Sequence, residues 1–230
     1  MIHTIEHKTD SKFILGLDLG QVNDFTAIVV LERLQEIYTR LEPVGSIRDR
    51  RIVTGWREVD NFSEAIYHAR HIERVKLGTS YPDIIERVKS LVKSPEIADR
   101  YLVAIDHTGV GRPVYDLFAK SGLETVGITI TGGSAVRWGR GGAKVSKRLL
   151  VSTLQAVIQT GRLQFAKNMQ GVDLLQREMI NFRVKVTESA NEIYAAREGE
   201  HDDLVLSLAM ALWLGENYGK PQGKASQTTY

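Results

Sequence analysis

The sequence predicts one α/β domain. Two short apolar runs, residues 13–19 and 25–31, are separated by five residues of turn-forming composition, which is typical of adjacent buried strands joined by a tight connection. Farther along, an apolar run at 101–105, a helix-like segment and another apolar run at 125–130 follow one another. This strand–helix–strand order indicates a crossover connection and some parallel pairing.

Length and composition narrow the class of protein. A chain of 230 residues and 25.8 kDa is long enough to bury a core without cross-links. The absence of cysteine excludes disulfides, a cysteine nucleophile and a thiolate zinc site. There is no apolar run of about 18 residues, so no membrane-spanning helix is expected. Residues 1–12 are polar and mixed in charge, which is not the pattern of a secretory signal.

The remaining elements follow from periodicity and punctuation. Apolar residues at helical spacing predict a helix over 82–92, with Pro82 near its start. Ser146 is expected to cap a helix that ends at Gly161, and 204–214 is apolar almost all round, as in a buried helix. The less distinctive segments are a weak strand at 51–59, an ambiguous strand or helix at 65–74, helices at 113–121 and 172–182, a loop or hairpin at 132–144, short strands at 183–187 and 193–196, and a disordered tail at 219–230.

Acidic residues stand at three element boundaries. Asp18 and Asp106 each end a strongly apolar strand, and Asp202 and Asp203 open the buried helix. Each has an ordinary explanation as a turn residue or a helix N-cap. Three such positions in one chain instead favour a shared site at one rim of the sheet, where unpaired carboxylates would repel one another unless a divalent cation lay between them. Oxygen ligands favour Mg²⁺ or Mn²⁺.

Basic residues gather in a separate, glycine-rich segment. Residues 132–148 contain no acidic residue and five basic ones, namely Arg137, Arg140, Lys144, Lys147 and Arg148. The two interpretations are a solvated basic loop and a surface that faces phosphate groups. Trp138 is expected to anchor this segment to the protein rather than to contact a ligand.

Several stretches resemble a known family. "ILGLDLG" with "DFTAIVVLER", "LGTSYPDIIERV", "YLVAIDHTGVG", "KVSKRLLVSTLQAVIQTGRLQF" and "EGEHDDLVLSLAMALW" are similar to the C-terminal nuclease domain of the large terminase subunit of tailed bacteriophages. The resemblance covers most of residues 13–216. It implies a ribonuclease H-like fold, related to the RuvC resolvases, with a mixed central sheet flanked by helices. Residues 1–12 would then form an N-terminal extension and 217–230 a disordered tail.

The resemblance also implies a site and a reaction. The metal-binding and catalytic acids would be Asp18, Asp106 and Asp203, with Asp202 as an adjacent ligand. Lys147 matches a basic position near the active site, with Lys144 as a second candidate. Asp24 matches a recurrent acid of the first hairpin, although a turn role explains it equally well. The reaction would be hydrolysis of double-stranded DNA with two Mg²⁺ or Mn²⁺ ions, and the basic residues of 132–148 would contact the DNA backbone.

The biological setting follows from the same resemblance. Large terminases carry a packaging ATPase, but no G-x-x-x-x-G-K-[ST] motif is present, so the chain is expected to be an excised nuclease domain and a monomer. The implied partners are the ATPase domain, the portal and the small terminase subunit, in the host cytoplasm. The alternatives are a Holliday-junction resolvase, a fragment of a sugar-kinase or actin-like ATPase, and a DNA-binding module without activity. His107 and His201 are interpreted as surface or capping residues, and the alternative for His201 is to orient Asp203 or to help activate water.

Overall fold

A nine-stranded mixed sheet organises the chain in a computed structural model, which describes residues 4–20, 24–44, 55–108, 111–133, 135–186, 192–195 and 201–217. The strand order is β7-β8-β6-β5-β1-β2-β4-β9, with β3 paired to the outer part of β2. The strands are β1 (Thr4–Asp18), β2 (Ala27–Val44), β3 (Gly55–Phe62), β4 (Ile66–Arg74), β5 (Tyr101–Asp106), β6 (Thr125–Thr131), β7 (Arg137–Gly139), β8 (Gly142–Ser146) and β9 (Leu163–Phe165). Strands β10 (Arg183–Val186) and β11 (Glu192–Ala195) pair separately.

Helices cover both faces of the sheet. They are α1 (Tyr81–Val92), α2 (Gly111–Lys120), α3 (Lys147–Gln159), α4 (Val172–Asn181) and α5 (Asp203–Asn217). One apolar core lies between the sheet and α1 and α2, and the other between the sheet and α3, α4 and α5. In β1, Leu15 and Leu17 face the α1–α2 side, whereas Ile14 faces the α5 side, as the two-residue period of a strand requires. The predicted α/β class with a mixed central sheet flanked by helices is confirmed.

Helix α5 is the most deeply buried element. Its side chains from Asp203 to Gly215 are all buried, because it lies across the central strands beneath α3 and α4. The helix approaches β1 so closely that a Cβ atom at Gly16 would stand 1.9 Å from the carbonyl oxygen of Ser207. At the C-terminal end of α5, the Nε of Arg33 donates a hydrogen bond to the carbonyl of Gly215 at 2.9 Å. It thereby satisfies one of the last carbonyls of the helix, which have no partner within the helix.

Most predicted elements are confirmed, some with shifted ends. The helices over 82–92 and from Ser146 to 160 are present, and the Ser146 Oγ accepts a hydrogen bond from the Leu149 N–H. The ambiguous segment 65–74 is strand β4, 132–144 contains the β7–β8 hairpin, and β9 was not predicted. The weak strand predicted at 51–59 is β3, and its residues 51–54 lie outside the described residues, as does the predicted tail at 219–230.

The first strand starts nine residues earlier than predicted. Residues 4–12, which the sequence analysis sets apart as an extension, continue β1 and pair with the outer half of β2. These residues are polar on both sides of the strand, so no alternation of polar and apolar residues marks them. Polar contacts between the strands hold this ribbon instead, among them a stack of His7 on Tyr38 with ring centroids 4.7 Å apart.

Replacement of Gly16 tests the close contact between α5 and β1. We expect Gly16→Ala to destabilise the protein by about 3 kcal/mol, at the upper end of typical overpacking costs, because the added methyl group meets backbone that cannot rotate away. Urea unfolding measures this change. Gly139→Ala is the matched control, since a Cβ atom there meets nothing within 4 Å. Equal stability of the two variants would contradict the proposed contact.

Candidate metal centre

The register of two parallel strands brings Asp18 and Asp106 together. β1 and β5 pair in parallel up to Leu17 and Ile105, and each aspartate is the next residue of its strand. Side chains alternate between the two faces of a strand, and Ile14 and Ala104 face α5. Asp18 and Asp106 lie an even number of residues farther along, so both carboxylates lie on the α5 face of the sheet. Asp106 is 9% exposed, and its Oδ1 accepts a hydrogen bond from the Thr108 N–H at 2.7 Å.

Helix α5 adds the next two acids from the opposite end of the sequence. Asp203 is its first residue and is 5% exposed, and Asp202 immediately precedes it. The hydroxyl of Ser207, one turn into the helix, accepts a hydrogen bond from the Asp18 N–H and donates one to the Ala27 carbonyl, both at 3.0 Å. This hydroxyl therefore ties the end of β1 and the start of β2 to the first turn of α5.

Asp24 and His201 complete the cluster. One donor atom from each of Asp24, His201 and Asp203 lies within 4.8 Å of the others. The His201 Nδ1 is 3.6 Å from an oxygen of Asp24 and 3.6 Å from the Oδ2 of Asp203. The sequence analysis placed neither Asp24 nor His201 among the ligands. The HDD sequence put His201 beside two acids, but only the fold brings Asp24 to it.

Burial and the neighbouring negative charges raise the pKa of two carboxyl groups of the cluster. Burial raises the pKa of Asp18 well above its usual value, and the carboxylates of Asp106 and Asp203 raise it further. Burial, followed by the charges of Asp24 and Glu178, raises the pKa of Asp203 to about 7. Each group is harder to ionise because negative charge is already concentrated beside it. A bound cation would reverse this effect.

The donor set fits a divalent cation. The Oδ2 of Asp203 is buried and has no hydrogen-bond partner among the described residues, although a buried carboxylate oxygen normally has one. Asp203 forms a group of carboxylate and imidazole donors with Asp24 and His201. Such donors bind Mg²⁺, Mn²⁺ and related ions. Asp18 and Asp106 border this group.

Two basic residues reach the acids from different elements. The Nζ of Lys147, the first residue of α3, is 3.0 Å from the Oδ2 of Asp202. The guanidinium of Arg74, at the end of β4, lies 3.9 Å from the Oδ2 of Asp203 and 4.8 Å from the centre of the Phe25 ring. Lys147 was predicted from the resemblance, whereas Arg74 carries no sequence signal because its place depends on the pairing of β4 with β2.

Glu178 holds the start of α5 in place. Its carboxylate accepts hydrogen bonds from the Leu204 and Val205 N–H groups at 2.9 and 3.2 Å and forms an ion pair with Arg74. It thus supplies, from α4, the acceptors that the first turn of a helix lacks. Sequence analysis missed Glu178, which looks like an ordinary polar residue of an amphipathic helix.

The basic residues of 132–148 do not share one place. The parallel register of β6 and β8 puts the Ser146 end of β8 at the carboxylate edge, so Lys147 reaches the acids. Arg137 of β7 lies opposite Lys144 of β8 in the antiparallel register of the hairpin, one strand farther from the centre of the sheet. Arg140 lies at the hairpin turn, four residues or about 13 Å along β8 from that edge. Arg148 is exposed in the first turn of α3.

Trp138 anchors the hairpin as expected. Its ring stacks on Trp213 of α5 with centroids 5.3 Å apart. The hydroxyl of Tyr115 in α2 donates to the carbonyl of Gly141 at 2.7 Å and holds the turn from the other side. His107 packs edge-on against the same Tyr115 ring at 5.0 Å, and its Nδ1 lies 3.4 Å from the Thr129 hydroxyl.

Removal of Glu178 tests its support of the metal centre. Glu178→Ala leaves Arg74 without its buried partner and uncaps α5, so we expect a loss of about 3 kcal/mol in the free energy of unfolding. Glu178→Gln keeps an oxygen for the two N–H groups and should lose less. Urea unfolding compares both with Glu86→Ala, which removes an exposed ion pair and should change little. If Glu178→Ala were as stable as the Glu86 control, the capping role would be wrong.

The stability of the metal-free protein should fall as the pH rises. The folded state raises the pKa of Asp203 from 3.8 to about 7, so between these values it binds the proton that the unfolded chain has released. The contribution of Asp203 to stability is fully present below pH 3.8 and is lost by up to about 1.4 kcal/mol per pH unit up to about pH 7. Urea unfolding in EDTA between pH 5 and 8 measures the slope. Asp203→Asn should flatten it, and an unchanged slope in this variant would refute the assignment.

Comparisons with known proteins identify the fold. No protein-family model matches the chain. The large terminase subunits of Thermus phage G20c and Thermus virus P23-45 are each 28% identical over 153 residues, which are 66% of this chain and 26% of theirs. The chain therefore spans about a quarter of the length of these curated relatives.

Solved structures give the same result. The crystal structure of the large terminase nuclease from phage G20c with bound magnesium superposes with a TM-score of 0.59 and 22% identity, covering 89% of this chain and 82% of that one. The nuclease domain of the Thermus phage P74-26 large terminase gives 0.55 and 21%, with coverage of 89% and 80%. The predicted resemblance is confirmed: the chain is similar in sequence to large terminase subunits and has the fold of their nuclease domains.

Proposed function

We propose that this chain is a metal-dependent endonuclease that cuts double-stranded DNA during viral genome packaging. The observation that carries the proposal is the convergence of acids from three distant segments on one edge of the sheet. Asp18, Asp106 and Asp203 end or begin elements that are far apart in the sequence, and the cluster of Asp24, His201 and Asp203 supplies donors for a cation. The fold shared with terminase nucleases supports the same reaction.

The chain's own residues would bind and orient the reacting groups. Asp18, Asp106, Asp202 and Asp203 would hold two Mg²⁺ or Mn²⁺ ions, and we add Asp24 and His201 to this set. When bound, such ions activate water and stabilise the departing oxygen of a phosphodiester. The ammonium of Lys147 lies at the same edge and would stabilise negative charge on the phosphate, provided that it exchanges its contact with Asp202.

The basic residues support DNA as the substrate. Arg137, Arg140, Lys144, Lys147 and Arg148 would contact backbone phosphates, which requires no reading of base sequence. The hairpin that carries Arg137 and Lys144 is held rigidly by Trp138 and Tyr115, so its charges are presented at a defined position. In a packaging complex we expect the chain to act in the host cytoplasm, as a monomeric unit beside an ATPase, a portal and a small terminase subunit.

The other candidate functions have less support. A Holliday-junction resolvase would share the chemistry, but the comparisons lead to terminase subunits. A sugar-kinase or actin-like ATPase fragment receives no support from the same comparisons. A DNA-binding module without activity would not need six metal donors at one edge, where burial and the neighbouring acids raise the pKa of Asp18. No helix in the described ranges is long and apolar enough to cross a bilayer.

Cleavage of supercoiled plasmid tests the proposed function. The wild-type chain should nick and linearise plasmid with Mg²⁺ or Mn²⁺ and not with EDTA. Asp106→Asn should reduce the cleavage rate by more than about a hundredfold. Mutation of residues that only support the metal ligands already lowers metal affinity or activity by about ten- to a hundredfold, and Asp106 is a proposed ligand. Asp173→Asn, which changes an exposed carboxylate of α4, is the matched control. Equal activity of the two variants, or cleavage in EDTA, would refute the mechanism.

The salt dependence of DNA binding tests the hairpin. Each phosphate contact contributes about 0.9 to the slope of log K against log salt, so Arg137→Ala with Lys144→Ala should lower the slope by about 1.8. Fluorescence anisotropy with a labelled duplex in Ca²⁺ measures this change. The control pair is Lys120→Ala with Lys167→Ala, exposed lysines of α2 and of the loop after β9. An unchanged slope in the hairpin variant would remove this surface from the interface.

A further inference from the structure

A cleft of about 630 Å³ opens beside the metal centre and shares Asp24 with it. One wall holds Gly20, which follows β1, and Asp24 and Thr26, which precede β2. The opposite wall is the approach to α1, from Lys76 to Pro82, together with Val114 of α2. The volume lies within the range of about 300–1,000 Å³ that is usual for small-ligand sites.

One hydrogen bond joins the two walls of the cleft, and two others lie within the walls. The Gly20 N–H donates to the Thr26 hydroxyl at 3.1 Å, and the Tyr81 hydroxyl donates to the Gly20 carbonyl at 3.3 Å. On the far wall, the Thr79 hydroxyl donates to the Lys76 carbonyl at 2.7 Å and closes the turn before α1. These hydrogen bonds hold the described lining residues in position, which reduces the cost of ordering them around a ligand.

The lining combines one cation with apolar surface. Lys76 is exposed and forms no ion pair with any residue that the structure describes. Tyr81, Pro82 and Val114 provide the apolar part of the wall. An ammonium group beside a ring and aliphatic groups suits a ligand that carries a phosphate together with a sugar and a base.

The position of Asp24 links this cleft to the metal. Its carboxylate repels an anionic ligand as long as no cation is bound next to it. A divalent ion at Asp24, His201 and Asp203 would turn that repulsion into attraction. Binding of a phosphate-bearing ligand in the cleft should therefore depend on the metal.

The cleft and Lys147 lie on opposite sides of the acids. Lys147 begins α3, which packs on the same face of the sheet as α5, whereas Lys76 leads into α1 on the other face. A nucleic acid strand that crosses the sheet edge at the metal centre would thus meet one ammonium group before the acids and one after them.

We propose that this cleft binds the nucleotide next to the scissile phosphate, with the phosphate of that nucleotide at Lys76 and its sugar and base against Tyr81, Pro82 and Val114. This inference rests on the proposed nuclease function. It adds to it a substrate-binding subsite on the α1–α2 face of the sheet.

Nuclear magnetic resonance locates the subsite with thymidine 5′-monophosphate as the probe. In Mg²⁺, the nucleotide should shift the amide signals of Gly78 and Thr79 in a saturable way, with a much smaller effect in EDTA. Lys76→Ala should weaken this binding at least about fivefold, which corresponds to about 1 kcal/mol of binding free energy. Lys93→Ala, which changes an exposed lysine at the other end of α1, is the control and should bind as the wild type does.

The outcomes separate this inference from the proposed function. If the wild type cleaves plasmid but the nucleotide leaves Gly78 and Thr79 unshifted, or if the Lys76 and Lys93 variants bind equally, the subsite is wrong and the nuclease stands. Inorganic phosphate that binds as tightly as the nucleotide would overturn the role of the apolar wall. If the folded wild type shows no cleavage with any metal, the nuclease itself is wrong, whatever the cleft binds.

Discussion

The packing of α5 on β1 is the contact on which the rest of the site depends. Because Gly16 has no side chain, the helix backbone lies directly on the strand, and the Ser207 hydroxyl then bonds the Asp18 N–H. This contact fixes the position of the first turn of α5 relative to the carboxyl ends of β1 and β5. Asp203 meets Asp18 and Asp106 for that reason, although the residues come from opposite ends of the chain.

The same packing creates the electrostatic problem that a metal would solve. Burying the start of α5 concentrates carboxylates in a small volume, and the raised pKa values of Asp18 and Asp203 express the cost. Arg74 offsets part of it, because its positive charge lowers the pKa of Asp203. Glu178 adds negative charge but caps the helix from α4 and forms an ion pair with Arg74. Stability of the helix and affinity for a cation are therefore supplied by different residues.

Much of this arrangement could be predicted from the sequence, and the limits have physical causes. Asp18, Asp106 and Asp203 stand out because each interrupts an apolar run at an element boundary. Asp24, Arg74 and Glu178 do not, since a loop acid and two charged residues on amphipathic elements look the same whether they face solvent or the site. Their roles appear only when long-range strand pairing and helix packing are known. The extension of β1 over residues 4–12 could not be predicted for a similar reason, because this part of the strand pairs with β2 without alternating polar and apolar residues.

The sheet edge at the end of β1 is where we expect metal and substrate to meet, between the cleft of Lys76 and the hairpin held by Trp138. The most direct test is a crystal structure of the protein soaked in Mn²⁺, with the ions located by anomalous scattering. We expect two peaks among the acids, one of them in contact with Asp203 and both bordered by Asp18. Peaks confined to exposed carboxylates elsewhere, in a crystal where this edge is accessible, would contradict the central claim that these acids form a metal centre.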